Sequence, residues 1–259
     1  MHVDTLLLKL LFIITAASPL SLELNLQPPT VLSQNPLALC FDNFASASEC
    51  AELLKPSWRS SSAFAQVTSR VGSLVGVPPH RDELLRRTTS SVSSQSPLEL
   101  HTDTNNGRLA CFATAILYLT TVPPGFGGHT SLPLADADDD DVALLAARNL
   151  VSQNIHHASM SSPHDANVLE AAASACSEDE IRGVSCRPVE GRLFLFYGRD
   201  ASGAVDPRSF HRGDPLDTHF NKAKVIIPFL KELPMDDIVD EEDYKNKISA
   251  LFKEGMSLI

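Results

Sequence analysis

The chain has 259 residues, of which 43% are hydrophobic and 20% charged, with a formal charge of −11. That balance describes a folded globular chain long enough for one sizeable core, and excludes a disordered or fibrous protein. The acidity is local, concentrated at Asp136, Asp138–Asp141 and the run from Asp236 to Asp243, so no basic face is left for nucleic acid or anionic lipid.

Residues 1–17 carry an apolar stretch from Leu6 to Ile14 followed by Thr15-Ala16-Ala17. This is the shape of a secretory signal peptide, although Lys9 interrupts it and Asp4 sits where a basic residue is expected. A buried N-terminal helix is the other reading, and the stretch is too short to span a membrane. A signal peptide would route the chain to the secretory pathway, with the endoplasmic reticulum lumen as the expected compartment. Residues 18–36, with Pro28-Pro29 and Asn35-Pro36, read as linker.

Leu37 to Phe41 is expected to be a strand, and Ser46 or Ser48 to cap a helix through Cys50 and Leu54. Ala65 to Val75 has helical spacing and stops at Pro78-Pro79. Leu84–Thr89, Leu98–Asp103, Leu109–Thr121, Arg192–Tyr197 and Lys224–Leu230 are apolar or alternating runs bounded by Gly, Pro and Asn, the signature of strands. Residues 135–185 interrupt them with two helical segments, Val142–Leu150 and Asn167–Ala175, capped by Asp141 and Asp165. Such a stretch inside a β domain reads as a surface excursion near a functional mouth. In the segment 231–259, an acidic linker leads to an amphipathic docking helix with Ile248, Leu251, Phe252 and Met256 on one face.

The five cysteines have neither a zinc spacing nor a disulfide framework. Cys176 and Cys186 bracket a short acidic loop and are a pair to consider in an oxidising compartment.

Two elements carry chemistry. His101-Thr102-Asp103 lies on an expected strand, where residues i and i+2 share a face, so imidazole and carboxylate converge. So short a triplet also arises by accident, as in His2-Val3-Asp4. Asp206-Pro207-Arg208-Ser209-Phe210-His211 follows the apolar strand ending at Tyr197 and sets a histidine at a strand edge. Two histidines and one carboxylate can hold one face of iron(II) and leave the other positions open.

Read together, the segments resemble the prolyl 4-hydroxylase branch of the iron(II)/2-oxoglutarate dioxygenases, from about Leu37 to Leu230. Phe41-Asp42-Asn43-Phe44 with Ser48–Leu54 looks like the opening strand and helix, and Val75-Gly76-Val77-Pro78-Pro79 like the turn before the first core strand. His101-Thr102-Asp103 falls at the metal H-x-D. Ala113–Leu119 and Gly127-Gly128-His129-Thr130-Ser131-Leu132-Pro133 look like the strand and turn that follow. Val189–Phe196, Gly203–His211 and Gly213-Asp214-Pro215-Leu216 resemble the closing motifs.

The resemblance implies a mainly β fold with supporting helices, a double-stranded β-helix or jelly roll over 37–230. It also implies oxidoreductase activity on peptidyl proline or another proline-containing peptide, with molecular oxygen, iron(II) at His101, Asp103 and His211, 2-oxoglutarate as co-substrate and ascorbate as reductant. A lysine must pair with the distal carboxylate of 2-oxoglutarate. Sequence offset favours Lys222, and strand continuity into Val225–Phe229 favours Lys224; the two share a face. Tyr118 is a further candidate for holding the co-substrate, or a core tyrosine. Thr88-Thr89 and Thr104-Asn105 stand where the family carries aromatic residues, which leaves peptidyl proline less secure than the iron chemistry. Another peptide side chain, a small molecule or a catalytically silent binding module remain as alternatives. His156, His157, His164 and Cys176 in the excursion fit no closed zinc spacing, and the Asp136–Asp141 run lacks the glycine and terminal glutamate of an EF-hand loop.

Overall fold

Period-two burial on the long strands determines the architecture. On β2 (Leu37–Phe41), β4 (Cys111–Tyr118) and β7 (Leu193–Tyr197) every residue is buried, because alternate side chains enter two different cores. Leu37, Leu39, Ala113, Ala115, Leu117, Leu193 and Leu195 pack with helices on one side. Ala38, Cys40, Ile116, Tyr118, Phe194 and Phe196 face a second sheet on the other. Strands covered on both faces read as continuous apolar runs, which is how they appear in the sequence.

The computed structural model describes residues 27–80, 83, 85–93, 99–104, 111–176 and 182–258; the leader-like segment 1–17 lies outside them. With β1 (Thr30–Gln34), β3 (Thr88–Ser90) and β9 (Lys224–Glu232), the major sheet is six-stranded in the order β1-β2-β7-β4-β9-β3. The minor sheet has the order β6-β5-β8, from β5 (Thr130–Leu132), β6 (Val184–Cys186) and β8 (Arg212–Gly213). All pairings within both sheets are antiparallel. The result is the expected jelly-roll sandwich with helices on the outer face of its larger sheet. Among the described residues no helix is long and apolar enough to cross a membrane.

Helix α1 (Ala47–Leu54) starts at Ser46, where a capping box with Glu49 satisfies two terminal donors. Helix α2 (Ser62–Leu74) starts three residues before the apolar spacing suggests, because the Ser61 side chain accepts from Phe64 N. The C-terminal helix, numbered α5 (Glu241–Met256), docks Ile248 and Leu251 into the same core.

Two boundaries differ from expectation. The end of the supposed linker forms β1, paired antiparallel with β2. Its Thr-Val-Leu-Ser-Gln composition hides an edge strand because an edge needs little apolar surface. Among the described residues of the run Leu84–Thr89, regular pairing is confined to its end, within Thr88–Ser90, after an isolated bridge from Leu85 to Phe229.

Lys231 and Glu83 form a buried ion pair, each side chain 1% exposed. Burial pushes Glu83 up and Lys231 down from their ordinary values, so mutual attraction only partly offsets desolvation. Lys231→Ala should therefore cost about 3–5 kcal/mol in urea unfolding, by leaving Glu83 buried without its charge partner. The double variant Lys231→Met/Glu83→Leu should regain most of that loss.

The excursion is helical, as expected, in α3 (Val142–Ser152) and α4 (Pro163–Ala175). Asp141 caps the first; Ser162, not Asp165, caps the second, with Pro163 in the first turn. It is packed more deeply than a surface excursion. Leu144, Leu150 and Leu169 are buried, and α3 and α4 form a core cluster with Leu100, Leu134 and Phe210. Leu100 and Phe210 each immediately precede a histidine of interest. Replacing 142–175 by a Gly-Ser bridge should thus lower the thermal midpoint and expose dye-binding apolar surface, whereas an unchanged midpoint would show the excursion to be dispensable.

Candidate metal centre

A single pair of backbone hydrogen bonds brings the two histidines together. His101 N donates to His211 O at 3.0 Å and His211 N to His101 O at 2.9 Å, an antiparallel bridge that adds His101 to the minor sheet beyond β8. Directly opposed residues point to one face, and the two rings lie 4.4 Å apart. Asp103 is two residues on and returns to the same side. One ligand atom from each of His101, Asp103 and His211 lies within 4.8 Å of the others. His101 Nε2 is 3.7 Å from Asp103 Oδ1, and His211 Nε2 is 3.4 Å from Oδ2.

The remaining ring nitrogens are already committed. His101 Nδ1 is 2.7 Å from the Glu99 carbonyl and His211 Nδ1 is 3.0 Å from the Ser209 carbonyl. A carbonyl accepts only, so each Nδ1 carries a proton, and each Nε2 is turned toward Asp103. Burial pushes the His211 imidazole down to about 4, with Asp103 opposing, so the ring is neutral at pH 7. Thr114 Oγ1 donates to Asp103 Oδ2 at 2.5 Å, holding the carboxylate in place. Two imidazoles with Nε2 turned inward and one oriented carboxylate, converging on one point, fit a divalent iron ion.

The turn that delivers His211 follows from its sequence. Asp206 caps the short 3₁₀ turn Pro207–Ser209, accepting from Arg208 N, and Ser209 Oγ donates to Asp206 O at 2.6 Å. Phe196 packs its ring 4.7 Å from His211, closing the pocket wall.

Farther along the same inner face, Tyr118 is wholly buried, its hydroxyl 2.8 Å from Thr130 Oγ1 and 3.2 Å from the Cys186 carbonyl. It stands four residues beyond Thr114 on β4, about 13 Å away along the strand. Lys224 lies at this end, on the inner side of β9 with Ile226, the register partner of Tyr118. It is 5% exposed and donates to the Gly128 carbonyl at 2.9 Å. Gly127 and Gly128 both have positive φ, and a Cβ on Gly127 would meet the Pro215 carbonyl at 2.3 Å, so only glycine lets this turn pack against Pro215 and Leu216. Burial lowers the Lys224 ammonium to about 8, partly opposed by Asp214.

Lys222, favoured by sequence offset, is exposed. It stands before β9 begins, outside the strand that would have given it the parity of Lys224. Arg212 is committed to Asp214 and Glu170, and Arg199 to the Cys111 and Gly203 carbonyls. Cys176 and Cys186 do not pair: all five cysteines are free thiols, with Cys176 against the Val184 carbonyl and Cys186 turned into the sandwich beside Cys40.

Sequence reasoning missed Thr114, which inward parity on β4 would have singled out once the sheet face was known. His157 was weighed only as part of a zinc spacing within the excursion and set aside. The excursion brings this residue beside the centre as a bridge partner of His101, with the rings 5.6 Å apart and nearly parallel.

No family model matches the chain, and no curated protein matches it. Among solved structures it is similar to the viral collagen prolyl hydroxylase of Paramecium Bursaria Chlorella virus-1 in its 2-oxoglutarate complex, at 14% identity and a TM-score of 0.45, covering 76% of this chain and 96% of that one. HygX from Streptomyces hygroscopicus with nickel and 2-oxoglutarate bound matches at 12% identity and TM-score 0.42, over 76% of this chain and 81% of that one. The rice dioxygenase for auxin oxidation matches at 17% identity and TM-score 0.31, over 81% of this chain and 62% of that one.

Proposed function

We propose that the chain is an iron(II)- and 2-oxoglutarate-dependent dioxygenase that hydroxylates a carbon of a proline-containing peptide. The observation that carries this reading is the convergence of His101, Asp103 and His211, with both Nδ1 atoms committed to backbone carbonyls and both Nε2 atoms turned toward Asp103. Iron(II) held there would supply the redox chemistry of oxygen. Overall, substrate, oxygen and 2-oxoglutarate become hydroxylated substrate, succinate and carbon dioxide, with ascorbate keeping the iron reduced.

The chain's own residues do the positioning. Thr114 fixes the Asp103 carboxylate, and Phe196 limits water around His211. Lys224 offers a charge-assisted partner to the distal carboxylate of 2-oxoglutarate, backed by Tyr118 and Thr130. Peptidyl proline rests on motif resemblance. Mass spectrometry of proline-rich peptides after incubation with iron(II), ascorbate and 2-oxoglutarate tests it: one added oxygen on proline is expected. Turnover of 2-oxoglutarate with no oxidised proline would redirect the substrate to another side chain or a small molecule.

The lysine makes the reading pH-sensitive with a definite sign. An anion bound at Lys224 favours the ammonium, so binding takes up a proton wherever the free protein holds the neutral amine, above about pH 8. The apparent dissociation constant of 2-oxoglutarate should be flat below that pH and rise above it, approaching roughly tenfold per pH unit. Calorimetric titration between pH 6.5 and 9.5 checks this.

A further inference from the structure

Behind Tyr118, at the end of the sandwich remote from the two histidines, lies a cavity of about 350 Å3. Its wall carries Cys40 of β2 and Cys186 of β6, with Arg187 and Arg192 alongside. Arg192 precedes β7, whose far end bears Phe196 against His211, so this opening is separate from the proposed iron site. Two thiols from strands of facing sheets thus share one buried cluster and one cavity wall. Neither has a role in the chemistry above.

The two sulfurs are not equivalent. The neighbouring Cys186 thiol lowers the Cys40 thiol, and the Arg192 charge adds to that against the cost of burial. Arg192 is itself held by Asp42 at 2.6 Å. Burial raises Cys186 well above its ordinary value. Cys50 and Cys176 are pushed up to about 11 by burial, which leaves them unreactive.

We propose that Cys40 and Cys186 form a redox couple that hydrogen peroxide oxidises to a disulfide tying β2 to β6. The Cys40 thiolate attacks one peroxide oxygen, the O–O bond breaks, and the departing hydroxide takes a proton to leave as water. Cys40 is then a sulfenic acid. The Cys186 sulfur displaces its hydroxyl, the S–S bond forms, and the Cys186 proton leaves with the hydroxide as a second water. Two electrons pass from the two sulfurs to one peroxide. The Cys186 carbonyl touches the Tyr118 hydroxyl, so the bond would be made next to the residue that backs Thr130.

The test is peptide mapping of the full chain without reducing agent, after one equivalent of hydrogen peroxide. A mass loss of about 2 Da and one cross-linked peptide holding Cys40 and Cys186 are expected, and Cys176→Ser should leave that cross-link intact. In Cys186→Ser, the sulfenic acid should persist and a dimedone label should fall on Cys40. Unchanged mass, a cross-link between any other pair, or a label on a different cysteine would overturn the proposal. The mapping of the unsubstituted chain decides by itself should the variant fail to fold.

Discussion

Asp103→Ala should bring iron-dependent 2-oxoglutarate turnover to background while leaving the protein folded. The carboxylate is the one anionic donor of the centre, and without it two imidazoles remain, too few to hold iron(II) in competition with water. Its structural role is small: the described contacts are the Thr114 hydrogen bond and the two histidines, and the side chain is 16% exposed. Losing one such bond costs about 1 kcal/mol, so circular dichroism and the thermal midpoint should change little. His211→Ala is a less clean probe, since it also leaves a hole between Phe196 and His101. Thr114→Val gives a graded comparison. It keeps the shape but frees the carboxylate, and outer contacts of this kind are worth about 10–100-fold in metal affinity. Iron affinities in the order unsubstituted chain, Thr114→Val, Asp103→Ala would identify the carboxylate as the ligand and the hydroxyl as its positioning partner.

Lys224→Met should raise the 2-oxoglutarate dissociation constant by about two to four orders of magnitude, the equivalent of roughly 3–5 kcal/mol for breaking a buried charge pair. Lys222→Ala should leave it unchanged, because an exposed lysine has no fixed partner to lose. A second readout separates binding from structure. In the free protein, burial disfavours the Lys224 ammonium, and its folded pKa is depressed to about 8. Folding is therefore penalised most fully below about pH 8, and the penalty fades as pH rises toward the unfolded value. Lys224→Met should consequently hold or raise the thermal midpoint at pH 7 while destroying 2-oxoglutarate binding. A residue that merely supports the fold would lose both together.

The apolar strands and the three ligand-type residues were legible because their signals are local: period-two alternation, an i, i+2 spacing, and a capped turn running into His211. The register of β9 was not. Choosing between Lys222 and Lys224, which share a face by parity, depended on which residue starts the strand, and the strand starts at Lys224. Ser162 was passed over as a cap because Asp165 is the stronger-looking acid, although Pro163 between them fits the first helical turn. The excursion was read as peripheral because its helices carry alanines and isolated leucines. Their partners, Leu100, Leu134 and Phe210, are distant in sequence and only the fold brings them together. The same holds for Thr114 with Asp103 and for Cys40 with Cys186, contacts across facing sheets that no spacing along the chain encodes.

On the proposed function, one iron ion at His101, Asp103 and His211 drives oxidative decarboxylation of 2-oxoglutarate. Succinate formation by the full-length chain, followed with iron(II), oxygen and 2-oxoglutarate and then with the iron chelated, measures it without needing the peptide substrate. Slow uncoupled succinate release is expected that requires iron, saturates with 2-oxoglutarate and is absent in Asp103→Ala. Succinate formed at the same rate by the chelated protein or by Asp103→Ala, or none formed by an iron-loaded, folded chain, would contradict it.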